Sequence, residues 1–276
     1  MQIKLICVDM DGTLLRADHR TISKNNIEAI RTALAAGITV VPATGRILAR
    51  LREQLCVLPP LPYAIVSNGA EVREIASGRV LHGNYIAVDT ALCLLEHLWS
   101  EKLAPMVYQN DKMLMQPQDF ALLERNPAER DHLRGLLKLQ APITDLCEHL
   151  RQNPEAISKI NVPWVPPEIR LRLFRELRAL GTVEVTSSMP TDIEFNAPGT
   201  TKAQGVLALC RHLDISPDEV MALGDGENDI DMLRAVGHSV AMGNASHAVQ
   251  SAANTVTDTN ERDGVAKAIF AVLQTQ

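Results

Sequence analysis

An α/β fold with a doubly wound, Rossmann-like parallel sheet and an inserted α+β cap follows from three features of the sequence. The chain opens with an apolar strand and then alternates helix with strand. That alternation breaks near residue 71 and resumes near 200. Acidic residues follow directly on an apolar strand near each end of the chain. At 276 residues the chain exceeds the common domain size, so one large domain or two unequal ones are expected, with ample material for a core.

The elements come in a regular order. "IKLICV" has the two-sided apolar character of a strand buried on both faces, and "KNNIEAIRTALAAG" has helical periodicity ending at Gly37. "ITVVPA" is the next strand, "GRILARLREQLCVL" the next helix, and "YAIVSNG" a third strand ending in a turn, which together spell a β-α-β-α-β unit of a parallel sheet. "AEVREIASGRVLHG" then reads as a hairpin turning at Ser77-Gly78, followed by the helix "VDTALCLLEHLWSEKL". The short strands "APMVYQN", "KMLMQP", "ISKINVPW" and "TVEVTSS" alternate with helices such as "PPEIRLRLFRELRALG", where Pro166 and Pro167 suit a start and Gly181 an end. After "TDIEFN" the helix "TKAQGVLALCRHL" leads into the strand "VMALGDG", and "NDIDMLRAVG", "HSVAMG", "SHAVQSAA" and "DGVAKAIFAVL" complete the alternation. The expected division is residues 1–83 and 190–276 for the sheet domain and 84–189 for the insert.

Composition narrows the function classes. A net charge of −6, with 22% charged and 46% hydrophobic residues, is globular and gives no electrostatic support to nucleic-acid binding. The five cysteines, Cys7, Cys56, Cys93, Cys147 and Cys210, have no CxxC spacing and read as packing thiols in a reducing compartment. With no leader pattern and no apolar run near membrane-spanning length, the expectation is a cytoplasmic protein without a membrane partner.

The chemistry lies at the strand ends. Asp9 and Asp11 follow the first strand, beyond the carboxyl edge where open α/β sheets bind ligands. A second cluster, "GDGEND" at 224–229, holds Asp225, Asn228 and Asp229 in the equivalent place. Either cluster alone can be an ordinary Asp-Gly turn; the two together suggest one shared site with all-oxygen ligands for a hard cation, Mg²⁺ by preference. An EF-hand starting at Asp225 is rejected, because Ile230 and Val236 stand where Gly and Glu are required. In "VVPATGR", Thr44, Gly45 and Arg46 form a hydroxyl, a free backbone and a helix start able to grip an anion. Lys202, at the start of a helix, reads equally as a solvated lysine and as a phosphate neutraliser.

In this order, "DMDGTL", "ATGR", Lys202 and "GDGEND" resemble the haloacid dehalogenase superfamily of phosphohydrolases, and "SNGA" at 67–70 with the position of the insert resembles the Cof-type branch with a type IIB cap. The resemblance implies a Mg²⁺-dependent phosphatase of small phosphorylated metabolites, such as a sugar phosphate. Asp9 would be the nucleophile forming an aspartyl-phosphate, and Asp11 the acid-base group. It further implies Asp9, Asp11 (through its backbone carbonyl), Asp225 and Asp229 around the metal, and Met10, Thr44, Gly45, Lys202 and Asn228 around the phosphoryl group. One departure stands out: glycine often follows the family's lysine directly, whereas the run here is Lys202-Ala203-Gln204-Gly205, which puts the lysine's loop geometry in question.

By the same resemblance the insert would act as a lid that excludes water and chooses the leaving group. Trp99 and Trp164 read as packing residues, and His82, His97, His132 and His149 as surface residues without metal spacing. Arg125, Arg130, Arg134 and Lys138 form a charged run that is either a solvated helix face or an anion contact. A phosphomutase of the same superfamily and a receiver-like phospho-acceptor are the alternatives to the phosphatase, in a monomer or small homo-oligomer.

Overall fold

The computed structural model describes residues 2–124 and 140–274. The chain divides into two compact units, one made of residues 1–82 and 201–276 and the other of residues 83–200.

The first unit starts with β1 (Leu5–Val8), α1 (Lys24–Ala35), β2 (Thr39–Pro42), α2 (Leu48–Leu55), β3 (Tyr63–Val66), β4 (Glu71–Glu74) and β5 (Val80–Gly83). The second unit continues with α3 (Val88–Ser100), β6 (Met106–Gln109), β7 (Lys112–Met115), α4 (Pro117–Glu124), β8 (Gln140–Pro142), α5 (Leu146–Gln152), β9 (Ile157–Val162), α6 (Pro167–Leu180), β10 (Glu184–Thr186) and β11 (Ile193–Asn196). The chain then returns to the first unit through α7 (Lys202–Leu213), β12 (Val220–Gly224), α8 (Ile230–Arg234), β13 (His238–Ala241), α9 (His247–Gln250), β14 (Thr255–Val256) and α10 (Gly264–Leu273).

The sheet of the first unit runs β14-β13-β12-β1-β2 and is parallel throughout, with Leu5 opposite Val220 on one side and Thr39 on the other. Its strands are apolar on both faces because both faces are covered. Ile6, Val8, Val40, Met221 and Leu223 pack with α1, α2 and α10, whereas Leu5, Cys7, Val41, Val220 and Ala222 pack with α7, α8 and α9. This is the doubly wound layering the alternation predicts. β3 departs from it: its link to the parallel sheet is one bridge, Ala43 to Ile65, and it pairs antiparallel with β4 in a separate sheet β3-β4-β5. A tight turn at Ser67–Gly69 sends the chain straight back, so a two-stranded reversal replaces a further crossover.

In the second unit a six-stranded sheet runs β10-β11-β9-β6-β7-β8, antiparallel except for β7 with β8. α3, α5 and α6 cover one face with Leu94, Leu98, Leu150, Leu173 and Leu177 against Val107, Leu114, Ile160 and Phe195. As the prolines and glycine predict, α6 begins after Pro166 and ends at Gly181 in the left-handed conformation. Residues 190–200, assigned to the sheet domain from the sequence, belong to the second unit. The reason is β11, whose "IEFN" is hydrogen-bonded between β9 and β10.

The packing reading of the cysteines holds for Cys7 and Cys210, which are buried, and fails for Cys56 and Cys93, which are exposed. Among the described residues no helix is long and apolar enough to cross a membrane. Arg125, Arg130, His132, Arg134 and Lys138 lie outside the described residues.

Candidate active site

Two strand ends build the site. Beyond β1 the chain makes one wide turn, closed by Leu14 N donating to Asp9 O (3.2 Å) and Leu15 N to Met10 O (2.8 Å). Gly12 makes that turn possible. It has φ +81°, and a Cβ there would stand 2.2 Å from Oδ2 of Asp225. The β1 and β12 ends can therefore approach, and Thr13 Oγ1 donates to Asp225 Oδ1 at 2.7 Å.

Lys202 joins the two clusters. Thr201 caps α7 by accepting from Gln204 N, which puts Lys202 in the first turn. Its Nζ donates to Asp9 Oδ1 and to Asp229 Oδ1, each at 2.6 Å, with all three residues buried. The Ala203 departure thus leaves the lysine in place. The close approach is supplied one turn later: a Cβ on Gly205 would lie 3.2 Å from Gly69 Cα, and one on Gly69 (φ +94°) would lie 2.1 Å from Thr201 O. The "SNGA" turn is therefore the seat on which the start of α7 rests.

Asp229 is held from both sides, since its Oδ2 accepts from Asp225 N (3.1 Å) and Gly226 N (2.9 Å) while its Oδ1 faces Lys202. Asp9, Asp225 and Asp229 offer one oxygen each within 4.8 Å of one another. One ammonium facing this group leaves net negative charge in a buried place. Burial, with Asp229 and Asp225 close by, pushes the Asp9 carboxyl well above the usual carboxylate range. Burial also raises Asp225, to about 6. Burial alone would lower Lys202, but Asp229 and Asp9 outweigh it and raise its ammonium above the ordinary value. A cluster of hard oxygen donors with surplus buried charge fits a divalent cation, so the residues present can hold a metal ion.

The remaining expected residues have these places. Met10 and Thr44 are buried, and Gly45 and Asn228 are half-buried. Thr44 follows β2, where Oγ1 accepts from Arg46 N (3.2 Å) and its carbonyl accepts from Asn68 N (3.0 Å). Asn228 lies in the turn leading into α8, its Oδ1 2.5 Å from where a Cβ on Gly226 would stand.

Two residues of the site, His19 and Asn244, escape the sequence reading, and Arg46 takes a different part from the one expected of it. Arg46 does not start a helix: α2 begins at Leu48, and the guanidinium turns instead to Asp11, Nε donating to Oδ2 at 2.8 Å and an Nη to Oδ1. His19 Nδ1 lies 2.9 Å from the same Oδ1. Asn244, beyond β13, donates from Nδ2 to Gly12 O (2.9 Å) and Asp225 Oδ2 (3.3 Å). Asn244 follows a strand end just as Asp9 and Asp225 do, and that position was the signal available for it.

Comparison with known proteins agrees with this geometry. Residues 6–269 match the family described as haloacid dehalogenase-like hydrolase. The chain is 35% identical over 281 residues to the 5-amino-6-(5-phospho-D-ribitylamino)uracil phosphatase YcsE of Bacillus subtilis, covering 98% of this chain and 95% of that one. It is 28% identical to the pyridoxal phosphate phosphatase YbhA of Escherichia coli, over 99% of this chain and 100% of the relative. Among solved structures, a subclass IIB sugar phosphatase of the same superfamily superposes with a TM-score of 0.78 at 26% identity, covering 98% and 99% of the two chains.

Proposed function

The chain belongs to the haloacid dehalogenase-like hydrolases and is a phosphatase of small phosphorylated metabolites, and we propose that Asp9 is its nucleophile and Asp11 its acid-base group. The observation that carries this reading is the bridge from Lys202 to both Asp9 and Asp229 beside Asp225. Phosphoryl transfer is catalysed mainly by positioning and charge neutralisation, and a carboxylate approaches a phosphate only where cations offset their repulsion.

The sequence of events is as follows. An Asp9 oxygen attacks phosphorus, the bond from phosphorus to the leaving oxygen breaks, and the Asp11 carboxyl gives its proton to that oxygen as the alcohol departs. The Asp11 carboxylate then takes a proton from water as the water oxygen attacks the aspartyl-phosphate, which releases inorganic phosphate and restores Asp9. Lys202 neutralises charge on the phosphoryl oxygens, with Thr44 Oγ1, the Gly45 and Met10 backbone and Asn228 supplying hydrogen bonds. Asp9, the Asp11 carbonyl and Asp225 would hold Mg²⁺, with Asp229 supporting them through Lys202 and the backbone N–H groups it accepts. Bound there, Mg²⁺ would supply Lewis-acid neutralisation of the phosphoryl charge.

The names of YcsE and YbhA suggest the substrate class: a phosphate ester carried by a small nitrogen-ring metabolite. Such a leaving group is an alkoxide, and an alkoxide needs the proton that Asp11 provides.

Phosphate release from pyridoxal 5′-phosphate and p-nitrophenyl phosphate, with Mg²⁺ and with EDTA, tests the reading. Release is expected with Mg²⁺ only, and Asp9→Asn is expected to lose at least about 10³-fold in kcat. An Asp9→Asn protein that keeps full turnover would remove Asp9 as nucleophile, and an isomerised product without free phosphate would indicate a mutase.

A further inference from the structure

Asn244 spends its side-chain hydrogen bonds away from its own loop. An asparagine in a turn ordinarily bonds backbone two residues further on. This one lies just past the end of β13 and reaches three other segments of the first unit. Its Nδ2 donates to Gly12 O at 2.9 Å and to Asp225 Oδ2 at 3.3 Å, one N–H for each, and its Oδ1 accepts from Asn260 N at 3.0 Å. The residue is exposed, and bonds of this kind contribute little to stability there. The identity of the partners is what gives them meaning.

The sheet order brings the amide to the site. β13 lies beside β12 and β12 beside β1, with Gly224 opposite Ala241 at the strand ends. Beyond those ends Met242 N donates to Gly224 O (3.0 Å), and Gly243 N to Asp258 O (3.1 Å) in the segment after β14. The loop is therefore fixed on both sides before Asn244 extends from it. Asn260, whose N–H serves Asn244, uses its own Nδ2 on Leu15 O at 3.0 Å, at the far end of the turn that carries Asp11 and Gly12.

Asp225 takes one donor on each oxygen, Thr13 Oγ1 on Oδ1 at 2.7 Å and Asn244 Nδ2 on Oδ2. Donors from two segments fix the plane of the carboxylate, and each oxygen keeps a second lone-pair site for a cation. The other N–H of the same amide holds Gly12 O, one residue beyond the Asp11 carbonyl. A single amide thus spans the two acidic strand ends. Partners that hydrogen-bond a ligating carboxylate set its orientation and with it the affinity of the site. We propose that Asn244 is a positioning residue for the metal site, its amide holding the Asp225 carboxylate and the turn after Asp11 in the arrangement that receives the cation. The proposal rests on the reading of Asp9, the Asp11 carbonyl and Asp225 as the groups that hold Mg²⁺.

The test compares two asparagines that brace the same turn. Wild type, Asn244→Ala, Asn244→Ser and Asn260→Ala are melted in EDTA and at increasing Mg²⁺ without substrate, and the dependence of melting on Mg²⁺ gives each a dissociation constant. Asn244→Ala is expected to melt close to wild type in EDTA and to bind Mg²⁺ about 10- to 100-fold more weakly. Asn244→Ser, which keeps one short donor, should lie between the two, and it carries the comparison should Asn244→Ala melt too low to titrate. Asn260→Ala removes a buried brace that does not touch Asp225, while its backbone N–H still serves Asn244. It should melt lower in EDTA and keep the wild-type Mg²⁺ affinity. Phosphate release from p-nitrophenyl phosphate should follow the same constants, so that excess Mg²⁺ restores Asn244→Ala. Wild-type Mg²⁺ affinity in the Asn244 variants, or a loss no larger than that of Asn260→Ala, would overturn the positioning role and leave the metal site standing. A wild-type protein whose melting ignores Mg²⁺ would remove the metal reading and the proposal together.

Discussion

Lys202 carries the charge balance of the site, with an ammonium 1% exposed between two buried carboxylates. Replacing it by methionine keeps the stem and deletes the charge. Lys202→Met is expected to lower kcat by at least about 10²-fold, the scale of losing one preorganised charge-stabilising group. It also strands Asp9 and Asp229, and breaking a buried pair by removing one partner costs about 3–5 kcal/mol. The melting point should fall in EDTA and partly recover with Mg²⁺, because a cation at the same carboxylates replaces some of the missing charge. A variant that melts like wild type in EDTA would mean the two carboxylates are not charged against the lysine. At this scale the acidic residues and the lysine are readable in sequence, because each lies at a strand end or helix start whose local pattern declares it. The contacts that Arg46, His19 and Asn244 make are not. Their partners come from loops whose mutual approach is set by the β1, β2, β12 and β13 register and by Gly12, none of which a linear pattern encodes.

The elements follow the sequence wherever one physical cause dominates. Apolar periodicity gives the long helices, Pro and Gly end α6, and two-sided apolar runs give the central strands. Where causes compete the reading weakens: "YAIVSNG" has the composition of a parallel strand, but the turn at 67–69 folds it back against β4. Similarly, "IEFN" lies beside the returning chain in sequence while its ladder belongs to β9 and β10. An element-level test exists in the second unit, where Trp99 Nε1 on α3 donates to Asp119 Oδ2 on α4 at 3.0 Å. Burial raises the Asp119 carboxyl to about 6, the Trp99 hydrogen bond opposing it only in part. The folded-state value lies above the unfolded one, so between about pH 4 and pH 6 the folded chain binds more protons than the unfolded chain. This group's contribution to stability is therefore present at low pH and lost as pH rises through that window. Asp119→Asn keeps an acceptor for Trp99 and cannot ionise. Its stability minus that of wild type, followed by thermal melting, should increase from pH 4 to pH 7 by an amount on the order of 1–2 kcal/mol. A pH-independent difference would mean that the carboxylate is solvated and titrates as it does in the unfolded chain.

For the whole molecule, the first unit is assembled from both ends of the chain. β1 pairs with β12 across more than two hundred residues, and Asp9 meets Lys202, Asp225 and Asp229 only after the second unit's sequence has been traversed. Each unit has its own apolar cluster, and among the described residues the acidic group able to hold a metal belongs to the first. A ligand that binds the folded state alone stabilises it by mass action, about 2.7 kcal/mol at a hundred times its dissociation constant. Mg²⁺ at saturating concentration is therefore expected to raise the melting of the first unit by several degrees over EDTA in scanning calorimetry. Asp225 is the residue to remove. It is an acidic member of the group that does not contact Lys202, and burial already holds its carboxyl up at about 6, so an amide there deletes a metal donor without stranding the ammonium. In EDTA, Asp225→Asn should melt at or above wild type, since a buried negative charge is gone. In Mg²⁺ it should show little or no upward shift, and phosphate release should fall with it. Should wild type give superimposable scans in Mg²⁺ and EDTA, or Asp225→Asn shift as far as wild type, the metal would have to lie elsewhere than between the ends of β1 and β12.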